Sequence, residues 1–137
     1  MSAFVNMSPL AMTAANIIAA LCWTGLGLIH LTPAVALVQP ALISRLYRVP
    51  PGSATFLLLH HRAALFLVIV LVCAWAVWRP DVRPLASAAV ATSMLSFLWL
   101  FAAAGQPAAL RQIALVDLAG LPLLAVAAWL AFRPLGA

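Results

Sequence analysis

Four long apolar runs, separated by short clusters of prolines and polar residues, organise the chain. They cover residues 13–37, 54–78, 85–104 and 109–132. A helix crossing a bilayer core needs roughly 20 consecutive apolar residues, and each run reaches that length. The first is long enough to tilt. The pattern therefore predicts four membrane-spanning helices, with both ends of the set on one side of the membrane. Pro33, near the end of the first run, removes a backbone donor and is expected to bend it.

The breaks differ in character. Residues 39–53 form the longest, punctuated by Pro40, Pro50, Pro51 and Gly52. Inside it lies Ala41-Leu-Ile-Ser-Arg-Leu-Tyr-Arg48. Leu42, Ile43, Leu46 and Tyr47 can share one helical face while Arg45 and Arg48 take the other, the pattern of a short helix in the headgroup layer. It serves either as a connector or as a lid over the bundle mouth. Trp78-Arg79-Pro80 ends the second run as an aromatic and basic interface anchor, and residues 79–84 make a tight polar turn. Gly105-Gln106-Pro107 separates the last two runs, and Phe132-Arg133-Pro134 closes the fourth. Residues 1–12 are an uncharged interfacial lead-in. They lack the basic region of a signal peptide, so the first span is read as retained.

Composition agrees with this pattern and narrows it. The chain is 67% hydrophobic and 7% charged, whereas a soluble domain carries about 25% charged residues. The expectation is an all-α integral membrane four-helix bundle, a single domain over 1–137, with a short interfacial helix between spans one and two. All seven basic residues are Arg, and the two acids are Asp81 and Asp117. No basic strip exists to follow a nucleic-acid backbone, so nucleic acid is excluded as a partner. Cys22 and Cys73 lie inside apolar runs with no CxxC spacing, which argues against a redox dithiol or a zinc knuckle. Both halves are two-span hairpins, but their polar residues do not correspond, which disfavours an inverted-repeat transporter within one chain. The side bearing the termini carries Arg79, Arg83 and Arg133; the other carries Arg45, Arg48, Arg62 and Arg111. Counting positive charge leans towards outward-facing termini in a bacterial inner membrane.

The polar residues inside the spans are segregated. His30 lies near the exit of span one; His60, His61 and Arg62 lie about two turns into span two. Gln106 closes span three, Arg111 opens span four, and Asp117 follows about two turns later. All belong to the end that carries the long connection. The opposite half offers only Asn16 and Thr13 in its interior. An ionised side chain at mid-membrane costs roughly 2.5–3.5 kcal/mol on insertion scales, so Asp117 is expected to face the bundle and pair with Arg62, or else with His60 or His61. Ala114 and Gly120 flank Asp117 and invite close helix approach. Asn16, Ala20, Trp23, Gly27 and His30 form a small-and-polar stripe on span one; Ser93 and Ser96 form a weaker one on span three. The candidate ligand-binding set is Trp23, His30, Tyr47, His60, His61, Arg62, Ser96, Arg111 and Asp117.

Each of these residues also has a plainer role. Arg62 and Asp117 can lock two helices together. Adjacent histidines point about 100° apart on a helix, so at most one of His60 and His61 shares a cavity with Arg62. His30, just before Pro33, can bond the carbonyl that the proline frees. Trp75, Trp78, Trp99 and Trp129 suit an interfacial belt. His30 with His60 or His61 would be axial haem ligands only at an awkward depth. His30, His61 and Asp117 are metal-type donors without ligand spacing. The expectation is no cofactor and no metal. No motif surrounds Ser93 or Ser96 to make a nucleophile.

The chain also resembles a known group. Gly27-Leu-Ile-His-Leu-Thr-Pro33, Leu46-Tyr-Arg-Val49, Leu58-Leu-His-His-Arg-Ala-Ala-Leu-Phe66, Ser96-Phe-Leu-Trp-Leu100 and Ala109-Leu-Arg-Gln-Ile-Ala-Leu-Val-Asp117 follow in the order seen in small bacterial four-span proteins of the DoxX-like set. Some members carry a phosphopantetheine adenylyltransferase label, but this chain has no nucleotidyl-transferase motif. The resemblance implies a four-helix membrane bundle and no settled activity. The positions that carry it are His30, Tyr47, His61, Arg62, Arg111 and Asp117. Typical members read Arg-His-Arg where this chain reads His60-His61-Arg62, which weakens any anion-binding role.

Three functions suit this cluster. The first is binding or carriage of an amphipathic small molecule or membrane lipid, in an apolar pocket with His61, Arg62 and Asp117 at its mouth. The second is a membrane-embedded enzyme, a lipid isomerase or oxidoreductase, with His61 as the acid–base group. The third is a structural accessory subunit of a membrane complex. A homodimer is compatible with each.

Overall fold

The computed structural model describes residues 13–133. The described chain is all-α, and its long helices form a four-helix bundle. Helix α1 spans Ala14–Val35, α2 Ala41–Tyr47, α3 Ala54–Trp78, α4 Arg83–Ala103 and α5 Arg111–Ala131. Single 3-10 turns at Pro80–Val82 and Ala108–Leu110 lead into α4 and α5. Among the described residues, four helices are long and apolar enough to cross a membrane, as expected of a multi-pass membrane protein. The lead-in over residues 1–12 and the proline at 134 lie outside the described residues.

Local chemistry sets the helix ends. The Thr13 hydroxyl accepts from Asn16 N–H at 3.3 Å, and the Ser53 hydroxyl accepts from Phe56 N–H at 3.1 Å, each satisfying an orphan donor of the first turn. The second expected span coincides with α3. The third begins earlier than expected, at Arg83, because Pro84 sits in the first turn, where its missing N–H breaks no helical bond. At the end of α4, Gly105 at φ 75° and Gln106 at φ 58° both take the left-handed conformation. Gln106 N–H reaches back to Phe101 O at 3.0 Å and Gly105 N–H to Ala102 O at 3.1 Å, closing the helix.

Helix α1 packs against α3 and α5, and α4 packs mainly against α5 and more lightly against α3. Consecutive long helices run up and down around the ring. The main core joins Trp23, Leu26, Cys73, Val90, Met94 and Leu124 with small residues between them. Both cysteines are buried and free. Gly120 supports the expected close approach: a Cβ there would stand 2.8 Å from both Ile29 Cδ1 and Met94 Cε. Leu21, Leu71, Leu100 and Leu118 face outward, a surface suited to lipid rather than water.

Helix α2 follows its amphipathic pattern. Ile43 is fully buried, Leu42, Leu46 and Tyr47 are half-buried, and Arg45 and Arg48 are exposed. Ile43 joins Ala36 and Ala63 in a small second core, with Leu37, Phe56 and Leu59 around it. This cluster fixes α2 across one end of the bundle.

The opposite end corrects an expectation. Arg83, placed above in a tight polar turn, is only 6% exposed. Its Nε donates to Ala76 O at 3.0 Å and its Nη1 to Asn16 Oδ1 at 3.0 Å. Ala76 belongs to the last turn of α3, where carbonyls lack helical donors and the helix dipole is negative. One guanidinium thus ties α4 to the end of α3 and the start of α1. The acid nearby, Asp81, is engaged by Arg79 at 2.9 Å, with both side chains about 60% exposed.

Candidate functional site

The α2 end encloses a cavity of about 290 Å³. Its walls come from three directions. Helix α1 gives Ile29, His30, Thr32 and Pro33; α5 and its leading turn give Ala108, Ala109, Gln112, Ile113, Val116 and Asp117. Leu46, Tyr47 and Arg48 roof it, and Phe66 closes the side towards α3. The lining is mostly apolar with a few convergent polar groups, the usual make-up of a small-molecule site.

His30 is 2% exposed, and its Nδ1 donates to Leu26 O at 2.9 Å. The acceptor is not the Ile29 carbonyl that Pro33 leaves without its ordinary donor, so the simple patching role suggested for His30 is not what the ring does. The imidazole packs against Phe66, with centroids 5.9 Å apart. Tyr47 lies outside the spans. Burial pushes its phenol up, the Arg62 charge pulls it down, and Asp117 pushes it up again. Tyr47 is therefore a neutral hydroxyl at physiological pH, within electrostatic reach of both charged groups.

Arg62 does not form the expected ion pair. Among the described residues no salt bridge joins it to Asp117, although its charge acts on that carboxyl. Its guanidinium carbon sits 5.1 Å from the Phe66 ring centroid and 5.9 Å from that of Phe97. Cation–π attraction to two rings supplies an alternative to a carboxylate. Arg62 flanks the cavity without lining it.

Comparison with protein-family models, with curated proteins and with solved structures finds no match for this chain.

The structure thus brings together His30, Tyr47 and Asp117 around one cavity, from α1, α2 and α5, with Arg62 beside them. The other candidates separate. His60 Nε2 donates to Leu37 O at 2.8 Å and ties the exit of α1 to α3. His61 points outward and is exposed, as a 100° step from His60 allows, so it is not at the cavity mouth. Arg111 is exposed as well. Ser96 is exposed and returns its hydroxyl to Ser93 O at 3.3 Å. Trp23 is fully buried in the mid-bundle core, far along α1 from the cavity. Trp75, Trp78, Trp99 and Trp129 are exposed, and Arg133 stacks 3.4 Å above Trp129, so these four suit the interfacial belt. Among the described residues no three His, Cys or Asp side chains group as metal donors, and the set His30, His61 and Asp117 is divided by the direction of His61.

Several wall residues escaped the sequence analysis. Phe66 follows Arg62 by four positions and so shares its helical face, a legible signal. Gln112 and Ile113 lie on the Asp117 side of α5, one turn earlier. Arg48 stands at the rim because α2 ends there in a left-handed residue, at φ 55°.

Proposed function

We propose that this chain is a multi-pass protein of a bacterial inner membrane that binds or carries an amphipathic small molecule or lipid in the α2-end cavity. The observation that carries the proposal is the convergence of His30, Tyr47 and Asp117 in a mostly apolar cavity roofed by α2. An apolar body can lie along Ile29, Ile113 and Val116 while its polar group meets the three side chains. Assignment to the DoxX-like four-span proteins belongs to the same proposal and rests on the short motifs alone.

The test is chemical. The protein is purified in mild detergent, and the co-purifying lipids are compared with those of the host membrane by mass spectrometry. One species is expected to be enriched, and the enrichment is expected to vanish in Ala109→Trp, which fills the cavity from its exposed rim. Identical lipid profiles for host membrane, wild type and variant would overturn the proposal.

A second reading has one observation in its favour. Donation from His30 Nδ1 to Leu26 O leaves Nε2 as the basic nitrogen of a fixed tautomer. A membrane-embedded isomerase or oxidoreductase would use His30, not His61, for proton transfer. Turnover of the enriched species by wild type and not by His30→Phe would favour this reading over carriage.

A further inference from the structure

Thr32, Tyr47 and Gln112 line the cavity with groups that both donate and accept, whereas His30 and Asp117 bring acceptor capacity that no protein donor fills among the described residues. His30 lines the cavity with Nδ1 committed to Leu26 O, so in the neutral ring Nε2 is a bare acceptor. Nε2 has no partner among the described residues, in a side chain that is 2% exposed. Asp117 contributes carboxyl oxygens with no ion pair among the described residues. Pro33 removes the usual donor to the Ile29 carbonyl, and both residues border the same space. An acceptor that borders a cavity without a protein donor keeps its hydrogen-bonding capacity for whatever occupies that cavity. These groups therefore favour a ligand that brings its own donor.

Charge decides which donor. Arg48 stands exposed at the rim, and Arg62 lies beside the cavity over Phe66 and Phe97. An ammonium would approach two guanidinium groups. A phosphate or carboxylate would approach Asp117. A neutral hydroxyl meets neither penalty.

Building on the ligand-site reading above, we infer that the cavity selects its amphipathic ligand by a neutral hydroxyl, which donates to His30 Nε2 or to the Asp117 carboxyl. The apolar remainder lies against Ile29, Ile113 and Val116. Tyr47, a neutral hydroxyl at the roof, can donate to the oxygen of the same group.

The experiment uses full-length protein in lipid nanodiscs and three probes: nonylphenol, its methyl ether nonylanisole, and nonyl phosphate. Binding is followed by isothermal titration. Nonylphenol is expected to bind at least tenfold more tightly than nonylanisole, which differs only in lacking the donor, and more tightly than nonyl phosphate. His30→Phe keeps a ring against Phe66 and removes Nε2; the preference for phenol over ether is expected to fall below threefold. If that variant fails to fold, the wild-type ratio decides alone. Equal binding of phenol and ether, or tighter binding of the phosphate, overturns this inference and leaves the cavity as a ligand site. Binding of none of the three, with unselected co-purifying lipid, overturns both.

Discussion

The two ends of the bundle use charged side chains in opposite ways. At the end where the α3–α4 turn lies, the Arg83 guanidinium is buried and held by a helix-terminal carbonyl and an amide oxygen at 3.0 Å each. At the α2 end, Asp117 and His30 border a cavity of about 290 Å³, and neither the carboxyl nor the second imidazole nitrogen finds a protein partner among the described residues. Buried polar groups that are saturated hold helices together; those left with spare capacity beside a cavity are available to a ligand. The contrast makes one end structural and the other chemical.

The contrast breaks most directly at Arg83. Arg83→Ala leaves Ala76 O and Asn16 Oδ1 unpaired between three helices, and a loss of about 2–3 kcal/mol is expected. Thermal unfolding in detergent should show a lowered midpoint with ligand binding at the far end intact below it. Asp117→Leu, which removes the acceptor oxygens, should do the reverse, retaining stability and weakening ligand binding. Equal stability losses in the two variants would erase the distinction between the ends.

The middle of the bundle gives the next effect. Gly120→Leu forces a branched side chain where even a Cβ stands 2.8 Å from Ile29 Cδ1 and Met94 Cε. Overpacking of about 1–3 kcal/mol is expected. Ile29 is also a cavity wall, so binding should weaken along with stability. Gly120→Ala, which adds one methyl against flexible side-chain ends, should lose clearly less. A stable Gly120→Leu with unchanged binding would mean that α1 and α5 are not held in this register.

Arg62 tests the seam between α3 and α4, where helix packing is lighter. Arg62→Met keeps the stem and removes the charge from above Phe66 and Phe97. Each cation–π contact is worth about 0.5–1 kcal/mol when exposed and more when desolvated. The expected result is a stability loss near 1 kcal/mol by thermal unfolding. A much larger loss would indicate an ion pair with Asp117 after all.

Hydrophobic periodicity carried most of the fold. Apolar runs flanked by Pro, Gly and Arg delimit α1, α3, α4 and α5 to within about two residues, because bilayer thickness sets helix length directly. The alternation of Ile43 and Arg45 likewise marked α2 as a short interfacial helix, with connector and lid both open. The shared end of His30, Tyr47 and Asp117 followed from span parity alone. Which face each side chain takes did not. His60 and His61 are equivalent as residue types, and only a specific acceptor, Leu37 O, decides between them. Charge pairs Arg62 with Asp117, while two phenyl rings offer a competing partner that charge counting does not register. Arg83 looked like a loop residue because Pro84 suggested a turn, yet proline is equally at home in a first helical turn. A lone amide, Asn16, in an apolar span on the same side was the signal available for its burial.

The adjacent histidines give the smallest and most discriminating comparison. His60→Ala removes the 2.8 Å bond to Leu37 O and the edge contact with Phe56, with centroids 6.3 Å apart. The Leu37 carbonyl lies just beyond α1, beside the cluster that fixes α2, so the loss should be local as well as global. A decrease of about 1 kcal/mol is expected, with faster amide hydrogen exchange across α2. His61→Ala, at an exposed position with no hydrogen bond among the described residues, should stay within about 0.5 kcal/mol of wild type and leave exchange in α2 unchanged. Loss of ligand in His61→Ala, with the fold intact, would move the site from the His30 wall to the outer face of α3. Such a result would make the roofed cavity a by-product of packing and return the chemistry to the lipid-facing surface.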